Sequence, residues 1–216
     1  MLVRIGFISD THGKHRELEL MDCDILVHSG DITVRGEKET VIDFNRWLYT
    51  VSAEHKIVIA GNHDWCLEKE YKENNNEYIH TLLNNCHYLC NSSVKVCGIK
   101  FWGSPFTPYF HGWAFNQYEN ELKRTWAKIP LDTDVLVTHG PAYKLLDLTY
   151  DDINVGCRHL LEKIKEIKPK IHAFGHLHEQ GNKQLIVDDT MFINACNLDL
   201  TYKVINIKPI YIELEK

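Results

Sequence analysis

Apolar positions in this chain fall into short runs, each halted by a polar residue. Residues 3–9 form the first run and read as a buried strand, followed by the turn DTHG at 10–13 and a short helical stretch through Leu20. Residues 24–29 give a second strand that ends in GDITVRG, and 38–49 place Val41, Ile42, Phe44, Trp47 and Leu48 at amphipathic helical spacing. The third strand belongs to IVIAGNHD at 57–64, where an apolar run stops at Gly61-Asn62-His63. The polar segment 69–77, with three consecutive asparagines, reads as a surface loop or a frayed helix. Alternation about Gly98 over 94–102 predicts a hairpin, the aromatic stretch 106–116 an ordered loop, and 118–128 a helix leading to a strand at 134–138. A helix over 155–167 precedes a strand at 170–174 that ends in GHLHE, and three short alternating runs follow from 184 onward. Strands alternating with helices, then a strand-rich tail, predict a mixed α/β sandwich of two sheets with helices outside.

Composition changes this picture little. With 216 residues, a single domain over 1–216 is expected, without repeat or linker. The 44% hydrophobic and 25% charged content excludes a disordered or fibrous class, and a formal net charge of −6 argues against an extended nucleic-acid surface. No apolar run is long enough to span a membrane, and the first meets Asp10 too soon for a signal peptide. Seven scattered cysteines with no C-x-x-C pair fit reduced thiols and a cytoplasmic protein. Cys86, His87 and Cys90 lack the second ligand pair that a zinc reading would need.

The chemistry gathers just past the strands: Asp10 and His12, Asp31, Asn62 and His63, His139, and His176 with His178. In an open α/β sheet, ligands bind outside the carboxyl ends of the strands, and several carboxylates and imidazoles converging there would repel one another without cations. The donor count suits two divalent ions. With Asp31 bridging, Asp10, His12 and His178 can serve one ion, and Asn62, His139 and His176 the other. Two such ions form the clamp used for in-line displacement at phosphorus, with a bridging water as nucleophile. His63 is then left to protonate the leaving alcohol, Asp64 to orient His63, and Gly61 to permit a sharp turn. Arg35 can form a surface salt bridge or touch a phosphate oxygen. In the 106–116 loop, Tyr109, Phe110, Trp113 and Phe115 can simply pack, or Trp113 can stack on a nucleobase beside His111. His28 and His172 read as hydrogen-bonded core histidines, and His15, His55, His80, His87 and His159 receive no role.

The ordered set D-x-H (Asp10, His12), GD (Gly30, Asp31), GNHD (Gly61 to Asp64), HG (His139, Gly140) and GHLH (Gly175 to His178) resembles the calcineurin-like metallophosphoesterase superfamily. GSP at 103–105, GWAFN at 112–116, TDVLVTHGP at 133–141, VGC at 155–157 and FGHLHE extend the likeness to its metallophosphoesterase-domain-containing, or brain-protein-239-like, branch. The resemblance implies a four-layer αββα fold, a dinuclear Mn, Fe or Mg site with Mn²⁺ foremost, and phosphodiesterase activity that extends to 2′,3′-cyclic nucleotides. Both histidines of the G-H-x-H motif are present, which implies an active site. Phosphoprotein phosphatases of the superfamily carry G-D-x-x-D-R-G and an arginine three residues after the histidine of G-N-H. Val34 and Cys66 stand at the corresponding positions here, which argues against that activity. A small phosphodiester or nucleotide is the expected substrate, with a phosphomonoesterase or a non-catalytic nucleotide-binding scaffold as the alternatives.

Overall fold

The computed structural model describes residues 2–205 and 207–215. Strands β1 (Leu2–Ile8), β2 (Cys23–His28), β3 (Ala53–Val58) and β4 (His87–Tyr88) run parallel, and β13 (Ile210–Glu215) closes this sheet antiparallel to β1, giving the order β13-β1-β2-β3-β4. The second sheet has the order β11-β12-β10-β9-β6-β5, from β5 (Ser92–Val96), β6 (Ile99–Ser104), β9 (Val135–Thr138), β10 (Ile171–Phe174), β11 (Lys183–Val187) and β12 (Thr190–Asn194). Its inner strands are parallel and its two edges are antiparallel hairpins. A short pair, β7 (Thr107–Pro108) with β8 (Asn116–Gln117), pinches the aromatic loop at its base.

Alternation along the strands decides the layers. Val3, Ile5, Phe7, Ile25, Val27, Ile57, Phe101, Val135, Val137, Ile171 and Ile193 point inward and form one apolar layer between the sheets. The alternate positions Ile8, Leu26 and Val58 pack against helix α1 (Lys38–Thr50) through Phe44, Trp47 and Leu48. On the far side, Leu136 and Phe174 meet α4 (Glu119–Trp126) and α5 (Arg158–Ile167) through Trp126, Leu160 and Ile164. The result is the αββα sandwich.

In one stretch the structure selects the helical of two sequence readings, and in another it differs from the sequence reading. The segment 69–77 is mostly helical: α2 (Trp65–Lys72) and α3 (Asn76–Leu82) leave only three residues between them. The asparagine run hid this, because the apolar face of each helix is small, Leu67 in one and Ile79 with Leu82 in the other. The helix read from 155 begins at Arg158 instead. Asp147 captures the preceding backbone, accepting from the Gly156 N–H at 2.9 Å and the Asn154 side-chain amide at 2.7 Å.

Because the inner strands of both sheets are parallel, their carboxyl ends emerge along one rim, and an isolated bridge between Ser9 and Cys196 links the two sheets there.

Candidate metal centre and cleft

At that rim the chain takes up conformations that cost energy. Asp10, His12, Asp31 and His176 all have positive φ, at 52°, 42°, 58° and 68°, a left-handed region that side chains other than glycine enter at a cost on the order of 1 kcal/mol or more. Four strained residues at strand ends, each aiming a polar side chain inward, mark the rim as the place where fold stability yields to another requirement. The glycines of the same motifs make room for them. A Cβ on Gly175 would collide with the Asp10 carboxylate, and one on Gly61 with that of Asp31. Gly61 thus serves close backbone approach; it does not adopt a left-handed turn.

Asp10 and Asp31 are fully enclosed and close together: one oxygen from each and a nitrogen of His139 lie within 4.8 Å of one another. Backbone amides hold the carboxylates in place. The His176 N–H donates to both oxygens of Asp10 at 3.0 Å, and the His63 N–H donates to Asp31 Oδ1 at 2.8 Å. Burial opposes ionisation of both. For Asp10 the His178 hydrogen bond and the charges of His139 and His178 outweigh it, and for Asp31 His139 does, so both remain well below the usual carboxylate range.

Four imidazoles ring these carboxylates, and all four are oriented in the same way. Nδ1 donates to a backbone carbonyl: His12 to Thr33 at 2.7 Å, His63 to Val34 at 2.6 Å, His139 to Ser29 at 2.9 Å and His178 to Asp199 at 3.0 Å. Each Nε2 is thereby turned toward a carboxylate. His12, His63 and His139 approach Asp31 Oδ2 at 3.8, 3.9 and 3.4 Å, and His178 approaches Asp10 Oδ1 at 3.5 Å. Fixing one ring nitrogen on a carbonyl to present the other as a lone pair is the arrangement that metal-binding histidines use.

The donor set fits a cation in two further respects. Among the described residues, His12 Nε2 is buried with no hydrogen-bond partner. His139 Nε2 faces the Asn62 Oδ1 acceptor at 2.8 Å, and with Nδ1 committed to Ser29 these groups repel unless positive charge sits between or on them. The carboxylates can supply that stabilisation with a proton: burial lowers His139 and His178, yet Asp31 and Asp10 respectively raise them to about 9 and about 8. His176 also feels both carboxylates, but burial and the charge of His139 outweigh them and push it down to about 4. Asp10, His12 and His178 form one cluster of mutually close donors, Asp10, Asp31 and His139 a second, and His12, Asp31 and His63 a third.

Of the sequence candidates, Asp31, Asn62, His63, Trp113, His176 and His178 line the cleft, while Asp10, His12 and His139 are buried and joined to it through the clusters they share with Asp31, His63 and His178. Three expectations change. Asp64 does not orient the His63 ring; its carboxylate accepts the Gly61, Ile32 and Thr33 N–H groups at 2.8, 3.2 and 2.9 Å and so ties the GNHD turn to the GD turn. Val34, through its carbonyl, orients His63 instead. Arg35 and His111 are exposed side chains outside the cleft lining. In their place the cleft has Phe110, Leu200 and Tyr202, with Tyr202 edge-on to His12 at 4.6 Å. Leu200 and Tyr202 lie beyond the last recognisable motif; the His178 bond to Asp199, the paired bonds between Ser9 and Asn197, and the Tyr202 ring contacts with His12, His63 and His178 draw their loop in. Trp113 stacks on His63 at 4.4 Å, and its loop is fixed by the Ala114 N–H donating to the Asn62 carbonyl at 3.2 Å.

Comparison with known proteins agrees with this geometry. Residues 3–180 match the family model described as calcineurin-like phosphoesterase. The human metallophosphoesterase domain-containing protein 1 is 36% identical over 232 residues, covering 98% of this chain and 71% of that one. Among solved structures, one from Thermus thermophilus superposes with a TM-score of 0.66 at 13% identity, covering 98% of this chain and 99% of that one. GAP50, the anchor in the inner membrane complex of Plasmodium, superposes at 0.53 and 15% identity over 99% and 81% of the two chains. With its strand-end motifs, its sandwich and these likenesses in accord, the chain belongs to the calcineurin-like phosphoesterase family.

Proposed function

We propose that this protein is a phosphodiesterase that hydrolyses small phosphodiesters, 2′,3′-cyclic nucleotides among them. The family is one of metal-dependent phosphoesterases, and the choice of diester rests on the cleft. Among the described residues, its lining of Asp31, Asn62, His63, Phe110, Trp113, His176, His178, Leu200 and Tyr202 contains no arginine or lysine. A monoester dianion would find no guanidinium or ammonium in that lining for its second charge, whereas a diester carries a single charge and brings two organic groups that suit the walls of Phe110, Trp113, Leu200 and Tyr202.

Asp10, His12 and His178 would hold one divalent ion and Asn62, His139 and His176 a second, with Asp31 shared between them. When bound, such ions neutralise phosphate charge and acidify water. The carbonyls of Thr33, Ser29 and Asp199 keep the imidazole lone pairs aimed inward, so little reorganisation is needed on loading. His63 stays outside the proposed ligand set. Its Nδ1–H is anchored on Val34 and its Nε2 opens to the cleft, the position from which a proton can pass to a departing alkoxide. Trp113 holds that ring in plane from one side.

The test is turnover of bis-p-nitrophenyl phosphate and p-nitrophenyl phosphate by protein loaded in turn with Mn²⁺, Fe²⁺, Mg²⁺, Co²⁺ and Ni²⁺, followed by 2′,3′- and 3′,5′-cyclic nucleotides. Preferential diester hydrolysis, abolished by chelation, is the expected result. Faster monoester hydrolysis would overturn the diester assignment, and tight nucleotide binding without turnover under any metal would identify a scaffold.

A further inference from the structure

A second group of metal-binding side chains lies at the opposite rim of the sandwich. Glu54 and His55 sit near the start of β3, and Cys97 occupies the turn between β5 and β6 in the other sheet. A Glu54 carboxylate oxygen, a His55 ring nitrogen and the Cys97 sulfur all lie within 4.8 Å of one another, with Glu54 Oε1 3.8 Å from His55 Nε2.

Strand alternation explains the meeting. His55 is two residues from the buried Ile57 and therefore shares its inward face, and Cys97 packs against the same layer between the sheets. Both side chains thus reach the mouth of the gap from opposite walls. His87 stands across from Ile57 on β4, and its ring centroid is 5.7 Å from that of His55. Turn chemistry does not account for the cysteine. Cys97 and Gly98 take φ of 49° and 79° in a two-residue hairpin turn, whose first position favours asparagine, aspartate or glycine.

We propose that Glu54, His55 and Cys97 bind Zn²⁺, with His87 or water as fourth ligand, so that the metal staples the β5–β6 turn to β3. One thiolate, one or two imidazoles and a carboxylate are the mixed sulfur, nitrogen and oxygen set that zinc takes in tetrahedral sites. On binding, the thiol gives its proton to solvent and its sulfur lone pair to the ion. The ligands come from two sheets, so binding favours the folded chain. This site is independent of the activity proposed for the cleft, whose proposed ligands include no cysteine.

Co²⁺ titration of chelator-stripped protein tests it, with Co²⁺ standing in for Zn²⁺. The wild type is expected to show the near-ultraviolet charge-transfer band of a cobalt thiolate. Cys97→Ser and His55→Ala are each expected to lose that band and to take up one equivalent less Zn²⁺ at unchanged bis-p-nitrophenyl phosphate turnover. Alkylation of wild-type Cys97 by iodoacetamide, read by peptide mass spectrometry, is expected to slow about tenfold in Zn²⁺, a readout that needs no variant to fold. A band retained in Cys97→Ser, or alkylation indifferent to Zn²⁺, would overturn the site.

Discussion

Two kinds of buried histidine occupy this molecule within a few residues of each other, and they behave oppositely. His28 and His172 are enclosed in the two sheets; His28 Nε2 meets Thr11 Oγ1 at 2.9 Å and His172 Nε2 meets Thr138 Oγ1 at 2.8 Å. Burial drives both down to about 3, so they are neutral posts. His139 and His178 are similarly shielded, yet their carboxylate neighbours carry them to about 9 and about 8. Burial makes a histidine neutral, as it does even for His12 at 3.8 Å from Asp31, whereas the closer approach of His139 to Asp31 and of His178 to Asp10, at 3.4 and 3.5 Å, turns those two positions into ones that favour positive charge. The two kinds are also joined mechanically. Thr11 lies between Asp10 and His12, and Thr138 immediately precedes His139, so each neutral histidine supports a turn that carries a cleft histidine.

Removing the carboxylate should erase the distinction. Asp31→Asn is expected to lower phosphodiester kcat/KM by about 10³-fold and to reduce bound Mn²⁺, measured by elemental analysis. In the chelated variant, His139 should titrate well below its wild-type value, since Asp31 is what raises it against burial; this can be followed by NMR. Unchanged metal content would remove Asp31 from the proposed ligand set. Next in size is His63→Ala. It should cost about 10²-fold on diesters with poor alcohol leaving groups, far less on p-nitrophenyl esters, and leave the metal bound. Loss of metal would instead place His63 among the ligands, as its proximity to His12 and Asp31 allows.

The comparison also predicts opposite pH limbs for the stability of chelated protein. His28 and His172 have folded values depressed below the unfolded 6.5, so as pH falls from 6.5 toward 3 the unfolded chain binds protons that the native state refuses, and stability drops. The loss should be on the order of 2 kcal/mol per histidine by pH 5. His139 and His178 have raised values, so their contribution is complete below 6.5 and disappears as pH rises through about 8 and about 9. Thermal melts from pH 4.5 to 9.5 should therefore peak near pH 6.5. His172→Gln, which can still donate to Thr138, should make the acid limb shallower by the share of one histidine, with His28 and His176 supplying the rest, and leave the alkaline limb unchanged; an unaltered acid limb would show that His172 does not titrate as its burial requires.

The motifs legible in the sequence were those in which chemistry interrupts hydrophobic periodicity. A strand that stops at Asp10, Asp31, Asn62 or His139 can be read from local pattern, because burial of such groups needs a reason. The strained φ at Asp10, His12, Asp31 and His176 left no such trace, since it is imposed by contacts between residues as distant as Asp10 and the His176 amide. The role of Asp64 is hidden for the same reason: adjacency to His63 suggests a partner, whereas the carboxylate faces the backbone of Ile32 and Thr33 from the preceding crossover. Tyr202 and Leu200 carry no motif, and their loop reaches the cleft through long-range contacts, the Asp199 carbonyl with His178 and Asn197 with Ser9 among them. The helices α2 and α3 were obscured by polar composition that tertiary packing overrides.

The smallest expected effect distinguishes the two uses the sequence left open for the aromatic loop. Trp113 has one face against His63 and leans toward Trp65 at 6.3 Å, so it is placed to hold a side chain. Phe110, 59% exposed in the cleft wall, has the open surface that a nucleobase would need. Trp113→Ala should then lower kcat by roughly threefold to tenfold on diesters with poor alcohol leaving groups, a cyclic nucleotide among them, the value of one aromatic stacking contact, with KM unchanged, little effect on bis-p-nitrophenyl phosphate and recovery in Trp113→Phe. Phe110→Ala should raise KM for the nucleotide about tenfold and leave the nitrophenyl diester little changed. A Trp113 variant that loses only nucleotide affinity would reverse the assignment, because a ring whose role is to orient His63 must affect every substrate that needs the proton.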